Sequence, residues 1–371
     1  MAEAEAEAAA AAQANPSCLL ELLDSDENLK ALAPCRVFSL GMKNLVSLDT
    51  SPTQFRWGVC ASELAPIVRW CTDEEETRQK EKKHEQTKKL GHQELQLVKK
   101  TRLLAHITAA TRCRFFPNSQ NIVTTHQHNG EVKLWSAPTR AHTLRGHTNT
   151  VTDVDFVDDG NNIITASEDG YIKYWDCTVA KELASIHMKT FAGHKITHVR
   201  AVSAPADVEP KNMFTFIQQN SNQLIFYSME NVQQVFNYDT QGQFGRPVCC
   251  EQVTDNNVLC GMNTGCFFLI DLRKMAANVT PLTSAVAVFN EINQPTKHGQ
   301  QTCPMVLHRA YGVFFTAFNN GLVSFRREVT ASVDALLLGS RDPVVDLATD
   351  GQFLYSCSRD NFVRKYAILR P

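Results

Sequence analysis

One stretch of the chain combines residue types and spacings that could do chemistry. Residues 146–176 read GHTNTVTDVDFVDDGNNIITASEDGYIKYWD and contain His147, Thr165, Asp169 and Trp175. An aspartate, a histidine and a hydroxyl in hydrogen-bonding order could form a catalytic relay. A tryptophan ends this chain of hydrogen bonds, however, and no oxyanion site is evident. We therefore interpret the four residues as a structural hydrogen-bond network and expect no catalytic residue among them.

Three short strands are predicted to position these side chains. Thr152–Phe156, Ile163–Ser167 and Tyr171–Trp175 show the alternation or the β-branched content of strands. The turn signals DDGNN and EDG separate them. A hairpin centred on the second turn is expected to pair Thr165 with Trp175, and His147 would then bridge Thr165 and Asp169.

The stretch resembles a WD repeat, the unit of WD40 β-propellers, because Gly146-His147 opens it and Trp175-Asp176 closes it at the spacing of that repeat. The resemblance implies an all-β fold, a seven-bladed WD40 β-propeller over residues 35–371. Cys35–Leu40 would supply the outer strand of the last blade, so that the closed ring has no free sheet edge. The third strands of the seven blades would end at Trp70, Trp135, Trp175, Tyr227, Ile270, Phe325 and Tyr366.

The resemblance also implies a structural tetrad in two further blades. In the blade that ends at Trp135, His106 takes the histidine position and Asn129 replaces the aspartate. In the last blade, the offsets of Thr165, Asp169 and Trp175 are repeated by Ser356, Asp360 and Tyr366.

Two segments lie outside this repeat pattern. Residues 1–34 contain a low-complexity Ala/Glu tract and then Cys18–Ala33, whose leucines predict a short amphipathic helix. That helix is either a cap packed on the propeller or a docking element for a partner. Residues 72–93 are a charged insertion in the first blade, and acid–base pairs at i,i+4 spacing predict a solvated helix there.

Composition argues against several classes of function. The net charge of −2 and the pI of about 6.6 give no general attraction to nucleic acid or to anionic membranes. No apolar run is long enough to span a bilayer, and the N-terminal residues do not resemble a secretory signal. The twelve cysteines contain no CxxC pair, which indicates reduced thiols in a cytoplasmic or nuclear protein and no metal site. Nucleotide-binding and hydrolase motifs are absent, so we expect neither a cofactor nor an enzyme.

These observations and the resemblance predict a non-catalytic scaffold or adaptor subunit of an intracellular multiprotein complex, a monomeric propeller within a hetero-oligomer. WD propellers as a family mostly bind proteins or peptide segments. Binding is expected at the top face, the end of the blades where first strands begin and second strands turn into third strands. The candidate contacts are His128, Asn149, Thr150, Glu168, Thr197 and Arg359.

Two alternatives stay open at this level. Ile270-Asp271-Leu272-Arg273 resembles the WDxR box by which some WD proteins serve as substrate receptors of cullin-type ubiquitin ligases, although the tryptophan is missing. In that reading Asp271 and Arg273 would dock the ligase adaptor. The other alternative is a subunit of an RNA-associated complex, with lysines of residues 72–100 forming a basic side.

Overall fold

The architecture is that of a computed structural model of the chain. The residues it describes are 30–32, 34, 36–40, 42–51, 57–62, 67–71, 99–102, 109–117, 121–137, 140–188, 195–206, 208–239, 245–277, 285–290, 303–310, 313–321, 323–326, 335–337, 339–340, 342–350 and 353–367. The predicted charged insertion at 72–93, the Ala/Glu tract and His106 lie outside these ranges.

Seven small sheets follow one another along the chain, and we call them blades 1 to 7. Blade 1 consists of β3 Leu45–Thr50, β4 Trp57–Ser62, β5 Val68–Cys71 and β6 Lys99–Arg102. Blade 2 consists of β7 Ala110–Phe115, β8 Ile122–His126, β9 Val132–Ala137 and β10 Arg140–Leu144. Blade 3 consists of β11 Val151–Val157, β12 Asn162–Ser167, β13 Tyr171–Asp176 and β14 Lys181–His187. Blade 4 consists of β15 Ile196–Ser203, β16 Asn212–Gln218, β17 Gln223–Ser228 and β18 Gln234–Asp239. Blade 5 consists of β19 Pro247–Thr254, β20 Asn257–Met262, β21 Cys266–Asp271 and β22 Ala285–Asn290.

Blades 6 and 7 each include a strand from near the start of the chain. Blade 6 consists of β23 Pro304–Ala310, β24 Val313–Phe318, β25 Val323–Arg326, β26 Ala335–Leu337 and the early strand β1 Lys30–Leu32. Blade 7 consists of β27 Val344–Thr349, β28 Phe353–Ser358, β29 Phe362–Ala367 and the early strand β2 Arg36–Ser39. The helical elements among the described residues are two short 3-10 helices, Asp158–Gly160 and Leu272–Ala277. No helix in this part of the chain is both long and apolar enough to cross a membrane.

The ring of blades closes through its first strands and through β2. Each first strand contacts the next, from β3 through β7, β11, β15, β19 and β23 to β27, and β27 contacts β3. Strand β2 pairs antiparallel with β29, which places Val37 opposite Arg364. The prediction that an N-terminal strand completes the last blade is thereby confirmed, and the fold is a seven-bladed propeller.

The N-terminal helix predicted over residues 18–33 is wrong at its end. Residues Lys30–Leu32 form β1, which pairs parallel with β26 and extends blade 6 to five strands. The outer backbone groups of β26 would have no partner without β1, and their pairing with β1 favours a strand here although the leucine pattern predicts a helix. The propeller therefore begins at least five residues before the predicted boundary at residue 35.

A β-bulge recurs at the same place in all seven first strands. In blade 3, Val151 pairs with Ser167 and Asp153 with Ala166, so Thr152 is the extra residue. The other first strands show the same shift in register. A bulge redirects the side chains that follow it. The structural repeat is therefore more regular than the sequence repeat that predicted it.

The apolar core lies between adjacent blades. Trp175 of blade 3 is 2% exposed and packs with Val123 and Val132 of blade 2. Trp70 of blade 1 and Tyr355 of blade 7 are fully buried, with ring centroids 5.1 Å apart. Burying side chains of this size contributes several kcal/mol at about 25 cal/mol per Å². Each blade therefore depends on its neighbours, and the loops at the ends of the blades rest on a rigid base.

Candidate functional site

The four residues singled out in blade 3 form a continuous hydrogen-bond chain. The Nδ1 atom of His147 lies 3.0 Å from Oδ2 of Asp169, and its Nε2 atom lies 2.8 Å from Oγ1 of Thr165. The indole Nε1–H of Trp175 donates to the same hydroxyl at 2.9 Å. Both imidazole nitrogens are thus occupied, and the His147 side chain is fully buried. This arrangement can hold a turn against a sheet, but it presents no free base or nucleophile.

The strand register in this hairpin differs from the prediction. Thr165 lies opposite Lys173, and Trp175 lies opposite Ile163, so the predicted pairing of Thr165 with Trp175 is wrong. Thr165 and Trp175 are instead diagonal neighbours on one face of the sheet. A long side chain reaches a diagonal neighbour in a sheet, which explains why the hydrogen bond forms nevertheless.

Asp169 connects the network to the turns at the top face. Its carboxylate accepts the backbone N–H groups of Thr148 and Tyr171, both at 2.9 Å. Burial raises the pKa of Asp169, but the hydrogen bond and charge of His147 and these two backbone donors lower it, and the net shift is downward. An ionised carboxylate therefore anchors both the loop before β11 and the turn between β12 and β13.

Blade 2 contains a variant of this network. The indole of Trp135 donates to Oγ1 of Thr124 at 2.9 Å, and that hydroxyl lies 3.1 Å from Nε2 of His126. Oδ1 of Asn129 accepts a hydrogen bond from the backbone N–H of Glu131 at 3.2 Å. Asp169 accepts the equivalent hydrogen bond from Tyr171 in the turn of blade 3. His126 was missed by the sequence reasoning because it lies on the second strand rather than in the loop before the first.

The predicted tetrad of blade 7 is wrong. Ser356 is buried, and its hydroxyl has no hydrogen-bond partner among the described residues. Asp360 is bonded instead to Ser340, whose Oγ lies 3.2 Å away, and to the guanidinium of Arg364. Gly339-Ser340 occupies the position of Gly146-His147, so a serine replaces the histidine and an arginine supplies the missing donors.

The predicted top-face residues lie at one end of the blades but differ in exposure. His128, Thr197 and Arg359 are exposed, whereas Asn149 and Glu168 are partly exposed. Thr150 is only 9% exposed, and its hydroxyl accepts the backbone N–H of His128 at 3.2 Å. Thr150 therefore braces the turn of blade 2 from within the blade interface.

Hydrogen bonds join the top-face turns of neighbouring blades. Lys195 of blade 4 pairs with Glu168 of blade 3 at 2.8 Å. Arg246, just before blade 5, donates to Asn220 of blade 4 at 2.7 Å, and the backbone N–H of Asn44 donates to Asn361 of blade 7 at 2.6 Å. The turns at this face are thus held relative to one another.

The residues proposed for ligase docking are paired with each other. Arg273 donates from Nε and Nη2 to the two carboxylate oxygens of Asp271 at 3.0 and 2.8 Å. Asp271 is buried, and the side chain of Arg273 is 51% exposed. This bidentate pair gives Arg273 a role within blade 5.

A network of charged side chains along the first strands was missed by the sequence reasoning. Asp153 of blade 3 is at its centre, 2.8 Å from Nη1 of Arg200, 2.9 Å from Nδ1 of His198 and 3.2 Å from Nε of Arg112. Further pairs extend it in both directions along the ring. They are Arg112–Asp346 at 3.3 Å, Arg114–Asp155 at 2.9 Å and Arg200–Glu251 at 3.0 Å.

The carboxylates of this network also bind backbone N–H groups of the next blade. Asp153 accepts from Val199 at 3.2 Å, and Asp346 accepts from Leu48 at 2.9 Å across the closure of the ring. Burial opposes ionisation of Asp153, but the charges of Arg200, Arg112 and His198 hold its pKa well below the usual range. The network therefore joins adjacent blades through buried charges.

Nothing in the described part of the chain suggests metal or thiol chemistry. No group of three or more histidine, cysteine or acidic side chains there could hold a metal ion. The described cysteines are free, and burial raises the pKa of Cys249 and Cys250 well above that of an ordinary thiol. Such thiols are poor nucleophiles at neutral pH.

Comparison with known proteins agrees with the geometry of blade 3. The profile of the family described as WD domain, G-beta repeat matches residues 138–176. A search of curated proteins found no match. The matched residues cover the histidine, the hairpin and the tryptophan of the network, and the same sheet recurs seven times around a closed ring. Residues 138–176 are thus a WD repeat, and they form one blade of a seven-bladed β-propeller.

Proposed function

We propose that this protein is a non-catalytic scaffold or adaptor subunit of a multiprotein complex and that its top face binds a peptide segment of a partner. WD repeats are in general protein-interaction modules, and a protein-interaction scaffold is the function that this fold indicates. The observation that carries the finer proposal is the exposure of His128, Thr197 and Arg359 at turns and loops that hydrogen bonds and an ion pair join from blade to blade.

The chemistry of this face suits an extended polypeptide. It combines an imidazole, a guanidinium, a hydroxyl and the carboxylate of Glu168, and therefore offers donors and acceptors of both signs. Because the turns are held by inter-blade contacts such as Lys195–Glu168, little ordering entropy would be lost on binding. The free and buried cysteines support a complex of the reducing cytoplasm or nucleus.

A pair of matched variants tests the proposal. The top-face variant combines His128→Asn with Arg359→Ala; asparagine tolerates the φ of 63° at position 128. The control combines Lys181→Ala with Val179→Asn, two exposed positions at the opposite end of blade 3. Each variant removes one cation and one exposed ring or apolar side chain.

Tagged full-length protein of each kind is purified from its own cells, and the co-purified proteins are quantified by mass spectrometry at two salt concentrations. We expect the top-face variant to lose at least one stoichiometric partner that the wild type and the control retain. If both variants retain every partner, or if the control alone loses one, the top face is not the binding surface.

A further inference from the structure

The two halves of the top face differ in how their charges are paired. On blades 2 to 4, the exposed cations of the loops form ion pairs with carboxylates of the neighbouring turns. Arg145 pairs with Glu131 at 3.0 Å, and Lys195 pairs with Glu168 at 2.8 Å. A charged ligand would have to break these pairs, so this half of the face offers it little net attraction.

On the other half, three exposed cations have no carboxylate partner. Lys43 precedes the first strand of blade 1, Arg246 precedes that of blade 5, and Arg359 begins the turn between the second and third strands of blade 7. In the part of the chain that the structure describes, none of these three side chains forms an ion pair. Arg246 donates a single hydrogen bond, to Oδ1 of Asn220 at 2.7 Å. Most of the donors of these cations are therefore open to a ligand.

Asparagines in the same turns use their acceptor oxygens within the fold. Oδ1 of Asn263 accepts the backbone N–H of Arg246 at 2.7 Å, and Oδ1 of Asn361 accepts that of Asn44 at 2.6 Å. Asn319 of blade 6 accepts a backbone N–H in the same way at 3.0 Å. Because a backbone N–H can only be accepted by the oxygen, these contacts fix the orientation of each carboxamide. Each one directs its N–H donors away from the backbone that it binds.

We call this half of the top face the donor arc and define it by Lys43, Arg246, Asn263, Arg359 and Asn361. The arc is continuous, because the first strands of blades 5, 6, 7 and 1 contact one another in that order.

The described carboxylates of the donor arc do not offset its cations. They are Asp342, which is partly exposed, and Asp360. Asp360 accepts hydrogen bonds from the guanidinium of Arg364, which is only 5% exposed, and from the backbone N–H of Phe362 at 3.0 Å. A buried cation therefore already neutralises Asp360, and the exposed charge of the arc is positive.

These donors define the chemistry of the ligand. Guanidinium, ammonium and amide N–H groups bind a ligand that supplies acceptors and negative charge, and a carboxylate can accept two hydrogen bonds from one arginine. A nucleic acid would also present bases to stack, but the described loops and turns of the arc contain no aromatic side chain. Because the cations lie on three different blades, one ligand must be extended and carry several charges to reach them all.

We propose that the donor arc binds an acidic segment of a partner polypeptide, an extended stretch with several glutamates or aspartates. This inference rests on the proposed function, because it assigns the chemistry of the segment that the top face binds. The two can fail separately. A top face that selects peptides without an acidic bias would retain the proposed function and overturn this inference.

A selection of short random peptides displayed on phage, with immobilised full-length protein as the bait, tests the inference. We expect the enriched peptides to be more acidic than the unselected library. Arg246→Gln combined with Arg359→Gln should remove this enrichment. The matched control is Lys274→Gln combined with Arg309→Gln, which removes two exposed cations from the opposite end of blades 5 and 6 and should retain the enrichment.

Synthetic copies of the selected peptides give the magnitudes by fluorescence anisotropy. The variant with glutamine at positions 246 and 359 should bind them at least tenfold more weakly than the wild type, and the control should stay within about threefold. Copies in which each acid is replaced by its amide should also bind the wild type at least tenfold more weakly. Binding of the acidic copies should weaken as the salt concentration rises.

A charge reversal separates loss of the site from loss of the fold. Arg246→Glu combined with Arg359→Glu should enrich basic peptides in place of acidic ones, a gain that a misfolded chain would not show. Enrichment without an acidic bias, acidic peptides that bind the glutamine variant as tightly as the wild type, or no enrichment at all would overturn the proposal. Tighter binding of a single-stranded RNA than of every selected peptide would also overturn it and would assign the arc to nucleic acid.

Discussion

The Nη1 atom of Arg200 lies 2.8 Å from Oδ2 of Asp153, and both side chains are buried where the first strands of blades 3 and 4 meet. His198 contacts the same carboxylate oxygen, and Arg112 of blade 2 approaches the other one. One carboxylate thereby connects three consecutive blades. Breaking a buried ion pair from one side leaves charge without compensation, so this contact is expected to matter more than any surface pair.

Replacing Asp153 with asparagine should therefore destabilise the propeller by about 3–5 kcal/mol. The variant keeps the shape of the side chain but leaves Arg200 without its nearest charge. Urea unfolding at pH 7 measures the change. Asp155→Asn is the matched control, because Asp155 pairs with Arg114 at 2.9 Å but is partly exposed, and it should cost clearly less. Equal losses in the two variants would contradict a central role for Asp153.

His308 on the first strand of blade 6 should make stability fall with acidification. Burial lowers the pKa of His308 from 6.5 to about 4, so between these values the unfolded chain binds more protons than the folded one. His308 does not reduce the free energy of unfolding above pH 6.5, and it reduces that free energy increasingly as the pH falls toward 4. His308→Gln should make the free energy of unfolding less dependent on pH in this window, as measured by urea titrations at pH 7, 6, 5 and 4.5.

Of two buried carboxylates in the first strands, Asp49 opposes the effect of His308 in this pH window and Asp153 has no effect in it. Burial raises the pKa of Asp49 to about 6, so its ionised form destabilises the fold at neutral pH and this penalty disappears as pH falls from 6 toward 3.8. The pKa of Asp153 is lowered, so its stabilisation persists through this window and is lost only at more acidic pH. An unchanged slope in His308→Gln would mean that His308 does not titrate as its burial requires.

The hydrogen-bond chain of blade 3 yields a third prediction. His147→Ala removes one hydrogen bond each from Asp169 and Thr165 and should lower the free energy of unfolding by about 2–4 kcal/mol, at about 1.5–3 kcal/mol for the bond to the carboxylate and about 0.5–1.5 kcal/mol for the bond to the hydroxyl. Thermal or urea unfolding measures it. His142→Ala is the control, because His142 is exposed on the outer strand of blade 2 and should change stability little. Coincident unfolding curves for the wild type and His147→Ala would mean that these hydrogen bonds do not stabilise the blade.

The sequence predicted the blades because their signals are local. Alternating strands, turn residues such as Asp169-Gly170 and the terminal tryptophans each act within about ten residues, and period-2 patterning largely decides a strand. The register of Thr165 and Trp175 was misplaced because the geometry of the turn, rather than the apolar pattern alone, fixes which residues pair.

The rest of the candidate site depends on contacts between blades, which leave no local pattern. Ser47 and Asp346 lie 299 residues apart in the chain, and their side chains are hydrogen-bonded at 2.8 Å. The replacement of a histidine by Ser340 became recognisable only when the structure aligned Gly339-Ser340 with Gly146-His147.

The closure of the ring leads to a last prediction. Deleting residues 36–39 removes β2 and leaves β29 as an open edge, with its outward backbone groups unpaired. We expect the amides of β29 that face β2 to exchange with solvent at least tenfold faster, as measured by native-state hydrogen exchange of the full-length and shortened chains. The amides of β13 in blade 3, which keeps its own fourth strand β14, serve as the internal control and should change much less. If β29 stayed protected after the deletion, another segment would have taken the place of β2, or blade 7 would be stable with three strands. In either case β2 would not be what closes the propeller.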